Sequence, residues 1–381
     1  MAVKPVPITG SVLAWTRAEA GMSPATLAEA VGASAEEVIA WESDRLQPTT
    51  GQFRALAKKL GRPESFFFLA RPPQVSNLTV AFRTTAEKLG SPASAIEVGK
   101  ELRLAQRTQR VAAWLQERLA SSSPEIPEGD LRAPAARVAA KLQDWLHWNL
   151  DIQLKNTDAQ VTKTLRRHLE EHGIIVMHVP IDTDTGVRGF SLPHDEAPLM
   201  VINTKERYGA RTFSYIHELA HLALDDGSLC LVKNDEGVER WCNEVAACFL
   251  MPEHDVREFV RYKFGTVKIS SLEQVSPLRS RYRVSTQAAA LRLHKLGLSE
   301  PGFYPSVHWA IEKRKGGGSS VDSSQTRDVV RLQTYGRGYI NLLIEAKETR
   351  KIPETQVLEL LKMSRSEFSR LEFLARSSGE G

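Results

Sequence analysis

His217-Glu218-Leu219-Ala220-His221 sets two imidazoles four residues apart around a carboxylate. On a helix, positions i and i+4 lie on one face, a turn apart, so both rings can grip a single Zn2+ ion. Glu218 then stands where it can serve as general base toward a water held at the metal, the chemistry of metal-assisted hydrolysis. The bland alternative is a surface helix with two solvated histidines. The neighbours argue against it, because Phe213, Tyr215, Ile216, Leu219, Leu222 and Leu224 give the segment apolar flanks, as a buried helix requires. A catalytic zinc needs three protein ligands and one open position. Glu239, 18 residues after His221, offers the third ligand, giving a His217, His221 and Glu239 set with Glu218 as the base.

Positioning such a site takes a small sheet and at least two helices. The β-branched runs GIIVMHVPI (173–181), RGFSL (188–192) and PLMVINT (198–204), separated by turn residues, predict three strands. A helix over about 207–225 carries the histidines and ends at DDGS. A second, over about 236–250, carries Glu239 and stops at Pro252. Residues 253–297 read as helical again. The cap-and-helix pattern at 284–297 reads as a helical extension under the sheet rather than a DNA-binding unit.

The flanks read as helical too. Residues 8–70 predict five short helices, with Ser23 and Pro24 starting one, a Ser34…Glu37 capping box starting the next, and only Gly32-Ala33-Ser34 between them, as a helix-turn-helix requires. Trp41 and Phe66-Phe67-Phe68 read as core. Residues 96–120, 136–150 and 159–173 predict helices of a linker bundle, with a polar loop at 121–130. The Gly/Ser-rich stretch 313–326 reads as a loop, and 327–375 as a helical segment able to plug a cleft. The expected fold is mainly α with a small sheet. Its expected domains are a helix-turn-helix at 1–72, a linker bundle at 73–165, an α+β metallopeptidase-like domain at 166–300 and a helical C-terminal region at 301–381.

The run VRGFSL…APLMVINT…RTFSYIHELAHLAL…VERWCNEVAACFLMP resembles the ImmA/IrrE family of zinc metallopeptidases. That resemblance places Glu239 on the family's glutamate ligand position. It places Asn243 one turn later, on the same face, where it would orient a ligand. Cys242 and Val245 stand where the family usually has Ala and Phe, which are packing changes. LAEAVGASAEEVIAWESDRLQPT resembles an Xre-type helix-turn-helix. Together the likenesses imply a zinc endopeptidase with a regulatory helix-turn-helix. Its substrate would be a regulatory protein such as a repressor or antitoxin, in a stress, mobile-element or toxin–antitoxin setting. The alternative is a DNA-binding regulator or antitoxin-like protein whose metal site is structural or vestigial.

Composition adds bounds. The 381 residues are 42% hydrophobic and 25% charged, with a net charge of +4, an ordinary globular balance. No apolar run is long enough to cross a membrane, the N-terminus lacks an apolar signal core, and three cysteines form no framework. A cytoplasmic setting is therefore expected. Cys230, between the ligand helices, is a candidate thiolate for the metal, but it reads more simply as a small hydrophobe, like Cys242 and Cys248. His254, Tyr215 and Tyr262 are candidates for steadying an oxyanion. For DNA, Arg45, Arg54, Lys58 and Lys59 are the candidate backbone contacts. Yet residues 1–72 hold 8 Lys/Arg against 7 Asp/Glu, and Glu36 and Glu37 sit where a recognition helix needs donors. Partners are thus a regulatory protein and, through the N-terminal domain, DNA. The oligomeric state is open, with a dimer as one option.

Overall fold

The computed structural model describes residues 5–20, 22–72, 92–224, 236–312 and 325–377. The DDGS stretch, Cys230, Lys313–Lys315 and most of the Gly/Ser-rich segment lie outside the described residues. Those described are mainly helical with one small sheet. Contacts divide the chain into two units, one built mainly from residues 1–104 and the other from most of the remainder.

In the first unit, α1 (Gly10–Glu19), α2 (Pro24–Val31), α3 (Ala35–Glu42) and α4 (Thr50–Lys59) precede a 3-10 turn at Glu64–Phe68. Ser23 Oγ accepts from the Thr26 N–H, and Pro24 occupies the first helical position, where no N–H is needed. Gly32, at φ +68°, ends α2 in the left-handed region, and the Ser34–Glu37 capping box opens α3. Arg17 reaches across from α1 to Glu42 on α3, with Nη2–Oε2 2.9 Å. Leu13, Leu27, Val38, Trp41, Leu56 and Phe67 close the core. Phe68 departs from the expected all-core run. It is 49% exposed, because three consecutive side chains on a 3-10 turn point about 120° apart and cannot share one buried face.

In the second unit the sheet is β1 (Ile175–Val179), β2 (Gly189–Leu192) and β3 (Leu199–Asn203), in order β1-β3-β2. β1 runs parallel to β3 with Val176 opposite Met200, and β2 runs antiparallel with Phe190 opposite Val201. Every residue of β2 and β3 is buried, which is why these runs carry no charged residue and do not alternate between inward and solvent-facing positions.

The helix α5 (Pro92–Leu119) is followed by α6 (Ala135–Trp145), α7 (Leu150–Lys155) and α8 (Asp158–Glu171). The single helix expected over 136–150 is thus interrupted. His147 takes φ +50°, and Asn149 caps a new helix by accepting from the Asp151 N–H. Leu142, Leu146, Leu165 and Leu169 enter the same core as Val176, Ile202, Ile216, Val245 and Phe249. The helices read as a linker therefore pack as part of the sheet-bearing unit, and no break in the core falls at residue 165. The reason is that α6 and α8 each carry a continuous apolar stripe that only this core buries.

Two helices carry the expected ligands, α9 (Tyr208–Ala223) and α10 (Glu236–Leu250). Next come α11 (Glu253–Phe264), α12 (Leu272–Tyr282), α13 (Thr286–Lys295) and α14 (Phe303–Glu312). The expected extension at 284–297 is α13, and it lies beside the end of α10 rather than under the sheet. Its Arg292 Nε donates to the Met251 carbonyl at 3.0 Å, and Ala289, Ala290 and Leu293 pack into the core.

The chain then forms α15 (Arg327–Glu348), α16 (Glu354–Leu361) and α17 (Arg365–Ser377). α15 packs against β1 and α8, so the C-terminal segment covers the sheet's β1 side rather than plugging the ligand helices. Gly336, at φ +79°, breaks α15 in two, and a Cβ there would lie 2.9 Å from the Val176 carbonyl oxygen. Glu170 Oε2 caps the second half, accepting from the N–H groups of Arg337 (3.0 Å) and Gly338 (3.3 Å). No helix of the described residues is long and apolar enough to cross a membrane.

Candidate metal centre

α9 turns one apolar face to the sheet and to α10, and His217 and His221 sit one turn apart on it. α10 brings Glu239 up from its first turn. The three groups converge. His217 Nε2 and His221 Nε2 lie 3.2 Å apart, Glu239 Oε2 is 3.3 Å from His217 Nε2, and Glu239 Oε1 is 3.5 Å from His221 Nε2. His217 is 14% exposed, His221 3% and Glu239 31%, so the cluster is nearly enclosed and opens on the carboxylate side.

These distances fit a metal. Ligand bonds of about 2.0–2.1 Å at a tetrahedral angle place neighbouring donor atoms about 3.3 Å apart, and the three measured edges bracket that value. His217, His221 and Glu239 together are able to hold a metal ion. Both rings keep Nδ1 buried without a hydrogen-bond partner, so the polar investment of each ring is at Nε2, the atom aimed into the cluster.

The electrostatics agree. Burial alone would push His217 down, but its hydrogen bond to Glu239, the charges of Glu218 and Glu239 and a hydrogen bond with Asn243 outweigh it, and its pKa is raised. Burial opposes ionisation of Glu239 as well, yet the two histidines hold its pKa down at about 2. The pocket is thus built for positive charge. Asn243 stands one turn after Glu239 on α10 and contributes to raising the pKa of His217.

Glu218 is 3% exposed and lies against Gly189 at the start of β2. Behind it, Tyr215 is fully buried and hydrogen-bonds to His178 Nε2. His178 Nδ1 in turn lies 3.0 Å from Arg166 Nη1, and Arg166 pairs with Glu170 at 2.7 Å. Since Arg166 can only donate, Nδ1 accepts and the His178 proton sits on Nε2, donating to the Tyr215 oxygen. Sequence reasoning passed over His178, Arg166 and Glu170, although one signal was available: a histidine inside the apolar run of β1.

The remaining candidates fall elsewhere. His254 and Tyr262 stand out on α11, with the His254 side chain 92% and Tyr262 85% exposed. Cys242 is fully buried core, and Cys248 is half-buried with its thiol pushed up by burial. Arg45, Arg54, Lys58 and Lys59 are exposed on the first unit, where Arg45 Nε donates to Ser43 Oγ and Arg54 approaches Glu64 at 3.9 Å.

No curated protein matches the chain. Residues 169–294, which span the sheet, both ligand helices and the helices after them, match the family described as Peptidase_M78, IrrE N-terminal-like domain, so this segment is an IrrE/ImmA-like peptidase domain with a His–His–Glu cluster able to hold a metal.

Proposed function

We propose that the protein is a zinc-dependent endopeptidase that cleaves a regulatory protein, such as a repressor or antitoxin, and that works in a reducing cytoplasm. The observation that carries this reading is the convergence of His217, His221 and Glu239 at tetrahedral spacing, with Glu218 on the intervening turn. Zinc, when bound, would acidify a water and polarise the scissile carbonyl. Glu218, which lies against Gly189 at the start of β2, would take a proton from the attacking water and deliver it to the leaving amine. His217 and His221 would offer Nε2 lone pairs to the metal, Glu239 would supply negative charge, and Asn243 would steady the His217 ring.

The three-residue turn between α2 and α3 supports reading residues 1–72 as a helix-turn-helix that brings the peptidase to its partner or to DNA. Arg45, Arg54, Lys58 and Lys59 are exposed on this unit, as contacts to phosphates require. The test compares protein termini in cells carrying wild type and Glu218→Gln, alongside bound zinc in the purified proteins. New termini are expected with wild type alone, and zinc is expected in both. Identical termini would end the peptidase reading.

A further inference from the structure

The segment between α5 and α6 touches both ligand helices beside the metal cluster. Residues 121–130 read as a polar loop, yet Ile126 and Ala133 pack on the core. Pro124 lies against Gly173, where a Cβ would stand 3.0 Å from the proline ring. Pro124, Pro127 and Pro134 fix φ at three points and restrict the unfolded chain. Asp130 closes a turn. Its Oδ1 accepts from the Arg132 N–H at 2.9 Å, and its carbonyl accepts from the Ala133 N–H at 2.9 Å. Residues 124–134 therefore form a preset strap rather than a slack connection.

One arm of the strap grips α9. The Gly129 N–H donates to the Ala223 carbonyl at 2.7 Å. Ala223 is the last residue of α9, and its carbonyl is one of those that a helix end leaves without an internal partner. His221 stands two residues earlier. The other arm grips α10. Trp241, buried on that helix, donates through Nε1 to the Ala133 carbonyl at 3.2 Å, and Glu239 stands two residues earlier. The arms meet at Gly129. A Cβ there would lie 3.0 Å from Trp241 Cη2, 3.3 Å from the Ala223 oxygen and 3.4 Å from Leu224 Cδ2. Glycine lets the strap close on both helices at once without displacing the indole.

We propose that the strap positions the metal ligands, with Gly129 and Trp241 as the residues that set the gap between α9 and α10. Both edges of the cluster that cross between these helices, 3.3 Å from Glu239 to His217 and 3.5 Å to His221, depend on that gap. Metal–ligand bonds tolerate an error of only about 0.2 Å. Two residues of helix span about 3 Å along the axis, too short a stretch to bend. A displacement at Ala223 or Trp241 therefore reaches the ligand atoms nearly undiminished. Neither Gly129 nor Trp241 belongs to the ligand set, so each acts through the helix that carries a ligand. The inference rests on the metal-centre reading and adds to it the element that holds the two helices at ligand spacing.

The test uses the full-length protein and three readouts: zinc affinity by competition with a chromophoric chelator, the visible band of cobalt bound in place of zinc, and urea unfolding of the metal-free form. Gly129→Ala pushes on Trp241. It should weaken zinc about ten-fold, within the range for groups that act through a ligand, and should alter the cobalt band. Trp241→Phe removes Cη2 and the N–H to Ala133, and it too should weaken zinc. In the Trp241→Phe background, Gly129→Ala should cost little further affinity, because the atom it strikes is gone. A strap that only stabilises the fold would behave differently. Gly129→Ala would then lower the urea midpoint while zinc affinity and the cobalt band stayed as in wild type, and the proposal would be overturned. Wild-type zinc affinity in Trp241→Phe, or equal losses from Gly129→Ala in the two backgrounds, would overturn it as well. A wild-type protein that takes up no zinc would instead end the metal-centre reading, and this inference with it.

Discussion

Gly189 and Glu218 approach so closely that no side chain fits between them. A Cβ on Gly189 would lie 3.2 Å from Glu218 Oε1 and 2.7 Å from the Val201 carbonyl oxygen. The backbone of β2 therefore sets where the carboxylate rests, on the turn of α9 between the metal-binding rings. Gly189→Ala should force the strand or the carboxylate to move. We expect a stability loss of about 1–3 kcal/mol, typical of overpacking, zinc content near wild type and a marked fall in cleavage. Urea unfolding, bound-metal analysis and cleavage by one preparation separate these effects. Full cleavage in Gly189→Ala would mean that β2 does not place Glu218.

Glu239 has two parts to play, as a donor atom and as the charge that favours a cation. Its oxygens lie 3.3 and 3.5 Å from the two Nε2 atoms. Glu239→Gln keeps the shape but removes the charge. Changes to groups that merely orient ligands typically cost 10–100-fold in metal affinity, so loss of a ligand's charge should cost about 100-fold or more. Competition with a chromophoric chelator measures this directly, and an unchanged zinc affinity would remove Glu239 from the ligand set.

His178 predicts a pH dependence of stability. Burial first, then the charges of Arg166 and Arg211, hold its pKa well below the ordinary 6.5. Its Nδ1 accepts from Arg166, so a second proton would face a guanidinium. Above pH 6.5 the ring is neutral in both folded and unfolded chains and adds no slope. Below it, the unfolded chain takes a proton that the folded chain refuses, and stability falls by about 1.4 kcal/mol per pH unit until the folded pKa is reached. His178→Gln cannot take that proton. In metal-free protein its unfolding free energy should fall less steeply between about pH 6.5 and pH 5 than that of wild type. Parallel slopes would show that His178 is protonated in the folded state.

Much of this arrangement is legible in the sequence because local chemistry dictates it. The i, i+4 spacing of His217 and His221 needs only a helix, and the Ser34–Glu37 box marks a helix start without tertiary help. Contacts across the fold are not legible in that way. That Gly189 abuts Glu218 depends on the β2–β3 register and the seating of α9. That α6 and α8 join the sheet's core, rather than forming a linker, depends on which apolar surface they find. The break at His147 was hidden because a histidine in the left-handed region carries no signal as strong as glycine. Glu170 reads as a surface acid on α8, and its role appears only when Gly336 turns the Arg337 and Gly338 amides toward it.

That last relationship makes its own prediction. Glu170 is 8% exposed in its side chain, pairs with Arg166 at 2.7 Å, and caps the second half of α15 through Oε2. Glu170→Gln leaves Arg166 half-buried without its counter-charge and weakens the cap. Breaking a buried pair costs about 3–5 kcal/mol and losing a helix cap about 1 kcal/mol, so the C-terminal helices should loosen before the rest unfolds. Gly336→Ala should act similarly, since it places a Cβ 2.9 Å from the Val176 carbonyl at a φ of +79°. Limited proteolysis should cut both variants within 325–350 faster than wild type, while bound zinc is retained. Equal cutting rates would show that Glu170 does not hold α15 against β1. Loss of zinc together with faster cutting would show instead that α15 supports α9 through Arg166, His178 and Tyr215.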